Sequence, residues 1–468
     1  MENKKDLHSP QGKMGRRLAS GGAWVLLSRL IVAATQVITL GLLARLLSVE
    51  DMGVYFIIAN FVIIGSTFVQ FGLPQVVVKR LAETLEEGHR ENVRKILQSA
   101  LTIAIFFALV SFLVLSLGGG DWVALTVFDS PAMAGVGIWV ALWLVLQAIQ
   151  RSVGESFRGL HDIKMAALFA GSFSGIVTAL ILFLVNVGAG SATLEYAMWI
   201  SVGAISASLC YALFKLHKKV GILGLGNREL YQPLVILAVP IFFASLGNII
   251  LMRADVWMLG MFVADQQVAL YGAAARIVTI LGTPLLIAVA ITSPMIAQLN
   301  RRGDKESLQK LVQVVPSIIS LPSIIVIVII LVAGENLLEL IYGDAFYKGA
   351  YPVLVTLTIG QILCLLCGVS IQALLMMDHQ KTVLVITSIC TLLAVSASLA
   401  VVDQWGIEGV AVAFASGIAL QAILCMVMCR IKLGLNVYFT PFAVLQLKTV
   451  LSAMKARGRG RERQGPDR

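Results

Sequence analysis

Arg253 and Asp255 lie inside the apolar stretch 240–263, where charged side chains are able to bind an ion or a charged substrate. An ionisable side chain at membrane depth costs about 2.5–3.5 kcal/mol on insertion scales, so two within three residues indicate a polar interior. On a helix the two are about 200° apart, so Asp255 needs a partner from another segment. Arg276 lies about 12 Å into the next apolar stretch, at the same depth as Asp255. We therefore predict an Asp255–Arg276 ion pair.

That pair would leave the positive charge of Arg253 uncompensated and directed toward a cavity. A surplus cation in a low-dielectric cavity favours an anionic ligand, which makes Arg253 and Arg276 candidate substrate-binding residues. The alternative is a structural ion network of all three side chains. Asp255 is also a candidate for coupling to an ion gradient, although an acid paired with an arginine would be a poor proton carrier.

Arg29 and Gln36 form a second candidate site, in the first apolar stretch. Arg29 lies roughly 13 Å from the inner end of that stretch, and Gln36, seven residues later, falls on the same helix face. This spacing favours a polar stripe that faces a cavity and contributes to substrate binding. The alternative is that Arg29 extends its long side chain to the membrane interface, as we expect for Arg45 near the outer boundary.

A third polar stripe recurs at helical spacing near the inner end of the fourth apolar stretch. Its members are Gln147, Arg151, Glu155 and Arg158. Arg151 and Glu155 are spaced as an i,i+4 ion pair. The stripe predicts either the inner mouth of a substrate cavity or a solvated helix end, and the residues alone do not separate the two.

Enzymatic chemistry finds no support in the sequence. All five histidines fall in predicted tails or inner loops, and the Walker pattern GxxxxGK[ST] is absent. The Cys364-x-x-Cys367 pair has no second ligand pair and lies in a predicted helix, so it is interpreted as packing. We predict no catalytic residue, no metal and no cofactor, and a transporter rather than an enzyme.

The elements that carry these residues are predicted membrane helices. Hydrophobic residues make up 58% of the 468 residues and charged residues 13%, with a mean hydropathy of +0.89. Such a composition is typical of an all-α polytopic membrane protein. Twelve stretches have the length of a span: 20–47, 52–78, 96–117, 132–149, 165–187, 193–214, 234–263, 268–299, 311–333, 350–376, 382–402 and 407–429.

The distribution of basic residues predicts the orientation of these spans. With the N-terminus in the cytoplasm, 31 of the 36 Lys and Arg fall in inside segments, and only Lys348 falls in an outside loop. This asymmetry follows the positive-inside rule. We predict twelve spans with both termini cytoplasmic.

The chain repeats itself with a period near 215 residues. SVEDMGVYF (48–56) aligns with ADQQVALYG (264–272), which pairs Tyr55 with Tyr271. Each half has an even number of spans, so the halves share one orientation, related by an axis along the membrane normal, with substrate between them. The predicted domains are a tail (1–19), an N-lobe (20–220), a linker (221–233), a C-lobe (234–430) and a basic tail (431–468).

The basic tail has two predicted parts. TPFAVLQLKTVLSAMK is only moderately apolar and contains Lys448, which is typical of an interfacial helix. The Gly- and Arg-rich end is predicted to be disordered and attracted to anionic membrane lipids, which we favour over nucleic-acid binding.

Three stretches resemble the polysaccharide-biosynthesis flippases, transporters of O-antigen and related lipid-linked oligosaccharides. They are LARLLSVEDMGVYFIIANFVIIGSTFVQFGLPQVVVKRLAE (Leu43–Glu83), the segment that begins RADVWMLGMFV (Arg253–Leu299) and LIYGDAFYKGAYPVLVTL (Leu340–Leu357). The resemblance covers about residues 16–430. The resemblance rests on the order and spacing of these stretches together with the twelve-span count of the chain.

The resemblance implies two six-helix lobes that open alternately to either side of the membrane. It also implies a cationic cavity for the pyrophosphate-glycan head group of a polyprenyl-linked substrate, with arginines in the first, seventh and eighth spans, where Arg29, Arg253 and Arg276 lie. A polysaccharide polymerase and glycosyltransferases are the expected partners. The alternatives are a cation-coupled multidrug exporter of the same superfamily and a non-transporting scaffold of an export complex.

Overall fold

A computed structural model describes residue 28 and residues 30–438, except 87–89, 189–191, 223, 225 and 378. Throughout these ranges the chain is helical and contains no β-strand. Arg29, the predicted N-terminal tail and the predicted interfacial helix lie outside the described residues. The all-α prediction is therefore confirmed for the part of the chain that carries the other candidate sites.

Ten helices cover the first half of the chain, with π-helical turns at Leu115–Gly119, Val123–Val127 and Leu168–Ser172. They are α1 (Leu30–Leu46), α2 (Val49–Gln70), α3 (Leu73–Glu86), α4 (Arg90–Val114), α5 (Gly120–Trp122), α6 (Pro131–Gly135), α7 (Gly137–Gly159), α8 (Ile163–Ala167), α9 (Phe173–Gly188) and α10 (Leu194–Val220).

Eight further helices follow, with a 3₁₀ segment at Ala345–Ala350 and a π-helical end at Cys429–Leu433. They are α11 (Arg228–Phe262), α12 (Asp265–Leu281), α13 (Thr283–Arg302), α14 (Lys305–Ile319), α15 (Leu321–Tyr342), α16 (Tyr351–Leu366), α17 (Ser370–Met376) and α18 (Gln380–Met428).

Eight helical stretches of the described residues are long and apolar enough to cross a membrane, and α1 and α9 are shorter apolar helices. The longest stretch, Gln380–Leu433, has 54 residues and would extend about 80 Å if straight, more than twice the thickness of a hydrocarbon core. Gly406 interrupts its helical geometry at φ 52°, between the two predicted spans 382–402 and 407–429. The predicted count of twelve spans stays a prediction, as does the assignment of the 35-residue α11 as the seventh span.

The predicted second span, 52–78, is wrong as one continuous helix. Helix α2 ends at Gln70, Phe71 adopts a left-handed conformation at φ 47°, and α3 begins at Leu73. Between them, a Cβ on Gly72 would lie 2.5 Å from the carbonyl oxygen of Ala238 in α11, so only glycine fits there. The break arises from contact with a distant helix, and the local apolar pattern carries no sign of it.

The described residues form two compact units. The first comprises those up to Gly272 together with Leu338–Tyr347, and its core includes Leu73, Leu81, Leu97 and Leu234. The second comprises Ala273–Leu337 and the residues from Lys348 onward, and its core includes Ile296, Leu308, Ala373, Cys425 and Leu435. Helix α11 begins at Arg228, within the predicted linker, because Asn227 caps it by accepting from the backbone N–H of Glu229 at 3.1 Å.

Within the first unit, the two segments that the sequence aligns as repeats contact each other at equivalent positions. Gln266 donates a hydrogen bond from Nε2 to Oε1 of its counterpart Glu50 at 2.6 Å. The ring of Phe56 lies against its counterpart Gly272, where a Cβ would be 2.5 Å from Cδ2. Two elements related by a two-fold axis make this kind of self-pairing contact where the axis passes between them.

Candidate functional site

Asp255 lies on α11, about 10 Å from the C-terminal end of that helix at Phe262. The neighbouring Val256 and Leu259 are buried, whereas Asp255 and Arg253 are half-buried. Trp257 stacks on Phe61 of α2, with ring centroids 6.0 Å apart. Helix α11 therefore packs against α2 at the level of the charged pair, and this contact fixes the rotation of α11 around Asp255.

The Asp255 carboxylate accepts two hydrogen bonds from uncharged donors. Its Oδ2 accepts from the Tyr271 hydroxyl at 3.0 Å, and its Oδ1 accepts from the backbone N–H of Val256 at 2.8 Å. Tyr271 lies in α12 and is 0% exposed. Arg253 is close enough to interact with the carboxylate electrostatically. The site is thus a carboxylate on α11 with Arg253 beside it and a phenol hydroxyl as its side-chain donor.

Sequence reasoning missed Tyr271 as a partner of Asp255 because it searched for charged partners only. The signal was present: Tyr271 lies about 9 Å from the start of α12, at the depth of Asp255. The predicted Asp255–Arg276 pair joins residues assigned to different units and stays a prediction. Arg276 itself is half-buried on α12.

At the first predicted site, Arg29 lies outside the described residues and Gln36 is exposed on α1. The neighbouring Thr35 donates to the backbone carbonyl of Ile31 at 2.8 Å, which satisfies its hydroxyl within the helix. Arg45, expected to reach the outer boundary, is exposed and donates to the carbonyl of Leu340 at 3.0 Å. A cavity role for Arg29 and Gln36 stays a prediction.

At the predicted inner mouth, Glu155 pairs with Arg158 rather than with Arg151. The Arg158 Nη1 lies 2.9 Å from Glu155 Oε2, and Arg151 is exposed. Gln147 is half-buried on the same helix, α7. Glu155 thus has its nearest cation three residues later in the helix, and the predicted i,i+4 pair does not form.

Beside this stripe, Gln150 is a buried polar residue that the sequence reading did not select. Its Nε2 donates to the Ser208 hydroxyl of α10 at 3.1 Å and to the carbonyl of Phe169 at 3.3 Å. Gln150 therefore joins α7 to α10 and to the π-helical turn Leu168–Ser172. Within the described ranges, no three His, Cys, Asp or Glu side chains come together as a metal-binding group.

Two family models match the chain. The model described as polysaccharide biosynthesis protein matches residues 18–300, more than half of the sequence, and the MatE model matches residues 240–399. The probable low-salt glycan biosynthesis flippase Agl15 of Haloferax volcanii is 23% identical over 426 residues, which cover 87% of this chain and 82% of that protein.

Solved structures share the fold. An inward-facing MATE-family multidrug resistance transporter of the MOP superfamily superposes with a TM-score of 0.73 at 15% identity, over 87% of this chain and 98% of that one. The lipid II flippase MurJ, in an inward closed conformation, superposes with a TM-score of 0.63 at 14% identity, over 96% of this chain and 94% of that one. The chain therefore has the same fold as these two transporters.

Proposed function

This chain belongs to the polysaccharide biosynthesis protein family, and from that membership we propose that it is a lipid-linked oligosaccharide flippase. It moves a polyprenyl-diphosphate-linked oligosaccharide from the cytoplasmic to the outer leaflet for cell-surface polysaccharide synthesis. The family match over residues 18–300 is the observation that carries the proposal. The Haloferax volcanii relative, whose own name describes a glycan biosynthesis flippase, supports it.

The proposed binding residues supply positive charge at membrane depth. A diphosphate diester keeps two negative charges, and arginine replaces its hydration with bidentate, charge-assisted hydrogen bonds. Arg253, half-buried beside Asp255, is the principal contact. Arg276, Arg29 and Gln36 complete the proposed site, and the stripe of Gln147, Arg151, Glu155 and Arg158 lines its inner mouth.

The proposed architecture has twelve spans in two six-helix lobes, 20–220 and 234–430, with both termini in the cytoplasm of a bacterial cell. The break at Gly406 and the self-pairing of the repeat segments support it. Rocking of the lobes re-exposes the head group outside while the polyprenyl chain stays in lipid. A polysaccharide polymerase and glycosyltransferases would act on the two sides of this step.

A multidrug exporter is the second candidate, favoured by the MatE match at residues 240–399 and the MATE-like fold. Exporters of cationic drugs need cavities rich in carboxylates or aromatic rings. Well inside the predicted spans lie three cations, Arg29, Arg253 and Arg276, and one acid, Asp255. This excess of positive charge favours the anionic substrate.

Purified protein in liposomes tests the proposal with a fluorescent polyprenyl-diphosphate glycan placed in one leaflet. We expect wild type to flip the probe and Arg253→Ala to flip it at least about tenfold more slowly, the loss expected when a charge-assisted contact of about 1.5–3 kcal/mol is removed. Arg430→Ala is the matched control, because Arg430 is exposed at the end of α18 and should leave flipping unchanged.

Three results would contradict the proposal or its cationic site. Normal flipping by both Arg253→Ala and Arg276→Ala, with folded protein shown by circular dichroism, would refute the cationic site. Efflux of a cationic dye by wild type without glycan flipping would establish the multidrug exporter instead. If wild type shows neither glycan flipping nor dye efflux, the remaining candidate is the scaffold of an export complex.

A further inference from the structure

We propose that Asp255 and Tyr271 form a proton-binding site whose protonation strengthens binding of an anionic head group beside Arg253. The inference rests on the proposed function for the identity of the anion. The proton binds at an oxygen of Asp255, and no other bond is made or broken. The observation that carries it is the carboxylate–phenol hydrogen bond of 3.0 Å between α11 and α12, next to an arginine.

The geometry accommodates both protonation states of Asp255. A carboxylate accepts hydrogen bonds only, whereas a carboxylic acid also donates one. The tyrosine hydroxyl donates to the carboxylate and, by rotating its hydrogen, accepts from the acid. The backbone N–H of Val256, 2.8 Å from Oδ1, keeps the second oxygen satisfied in either state. An arginine as the direct partner would instead hold the carboxylate in its charged form.

The charges around Asp255 link its protonation to anion binding. Arg253 on the same helix is the cation that acts on the carboxylate, and Tyr271 on α12 is the titratable neighbour. Helix α2 packs against α11, but its acids, Glu50 and Asp51, lie at its outer end and interact with Asp265. Protonation of Asp255 removes one negative charge from the site beside Arg253 and so raises its net positive charge by one. An anion therefore binds the protonated form more tightly, and by reciprocity a bound anion favours protonation.

The internal repeat indicates that this site exists in the second half of the chain alone. The register that aligns Tyr55 with Tyr271 places Thr39 at the position of Asp255. Threonine has no titratable group, so the first half keeps the tyrosine and lacks the acid. We thus expect this site to bind one proton per chain.

The competing explanation is that Asp255 and Tyr271 hold α11 against α12 and have no other role. Asp255→Asn separates the two explanations, because an amide oxygen still accepts from Tyr271 but the side chain no longer titrates. A structural role predicts that the variant keeps the pH dependence of wild type. A proton site predicts that the variant binds as the protonated form does at every pH.

The experiment measures affinity of the full-length protein in nanodiscs for a glycosylated polyprenyl diphosphate from about pH 5 to about pH 9. Both phosphates of this diester stay ionised over that range, so the probe contributes no titration. We expect wild-type affinity to be at least about fivefold higher at the acidic end, the lower limit of typical coupling between sites. Asp255→Asn should bind at the acidic-end affinity throughout, and Asp403→Asn, which alters an exposed acid of α18, should match wild type.

Retention of the wild-type pH dependence by Asp255→Asn would overturn the inference, as would a wild-type affinity that does not vary with pH. Neither result bears on whether the protein flips the glycan at a single pH, so the proposed function would stand. If wild type neither binds nor flips the glycan, the proposed function fails, and infrared spectroscopy then tests the proton site directly. A protonated-carboxyl band that appears in wild type on acidification and is missing in Asp255→Asn is expected; its absence from wild type overturns the inference.

Discussion

Replacing Gly53 with alanine should destabilise the first unit because α2 and the start of α12 meet there without room for a side chain. A Cβ on Gly53 would lie 2.6 Å from the carbonyl carbon of Asp265 and closer still to its oxygen. Non-bonded heavy atoms attract at about 3.5–4.0 Å, so the backbone at Asp265 must move by roughly 1 Å. That movement also strains the 2.6 Å hydrogen bond between Glu50 and Gln266. Overpacking of this kind costs about 1–3 kcal/mol.

Thermal unfolding followed by circular dichroism in one detergent measures this loss. The matched control is Gly203→Ala in α10, where no atom lies within 4 Å of the added Cβ. Alanine is favoured over glycine inside a helix by roughly 0.5–1 kcal/mol, so the control should be as stable as wild type or more stable. Equal melting temperatures for Gly53→Ala and Gly203→Ala would refute the close packing of α2 on α12.

Two other substitutions test side-chain contacts of α7 and α14. Glu155→Gln should change stability by less than about 1 kcal/mol, because its partner Arg158 is half-exposed; a larger loss in chemical denaturation would show that the pair is structural. Gln309→Ala should cost about 1–3 kcal/mol, because Gln309 donates to the Asn436 carbonyl at 2.7 Å and accepts from its N–H at 2.9 Å. The exposed Gln404→Ala is its control, and equal stability of the two variants would contradict this contact.

The sequence predicts the helical class well because that class depends on local properties. Apolar runs of span length identify membrane helices, and a carboxylate within such a run is conspicuous. The resemblance to polysaccharide-biosynthesis flippases drawn from three stretches agrees with the family match over residues 18–300. Each of these inferences needs only the order of residues along the chain.

Helix breaks and hydrogen-bond partners depend instead on distant segments. The break at Phe71 and Gly72 exists because the Ala238 carbonyl of α11 occupies the space of a side chain, which no local pattern records. The sequence favours an arginine partner for Asp255 because charge is easily recognised in a sequence, and the Asp255–Arg276 pair stays a prediction. The structure places the neutral hydroxyl of Tyr271 on the carboxylate, and a tyrosine in an apolar run is inconspicuous.

The self-pairing contacts of the repeat depend on the sequence differences between its two segments. In a hypothetical dimer of two identical half-length chains, the residue at position 50 would face its own copy across the axis, and so would the residue at position 56. Two glutamates would repel each other there, and two phenylalanines would overlap at the present spacing. In this chain the two segments differ, with Glu50 bonded to Gln266 and Phe56 in contact with Gly272. Unequal segments in one chain thus permit an asymmetric contact that a homodimer is unable to encode.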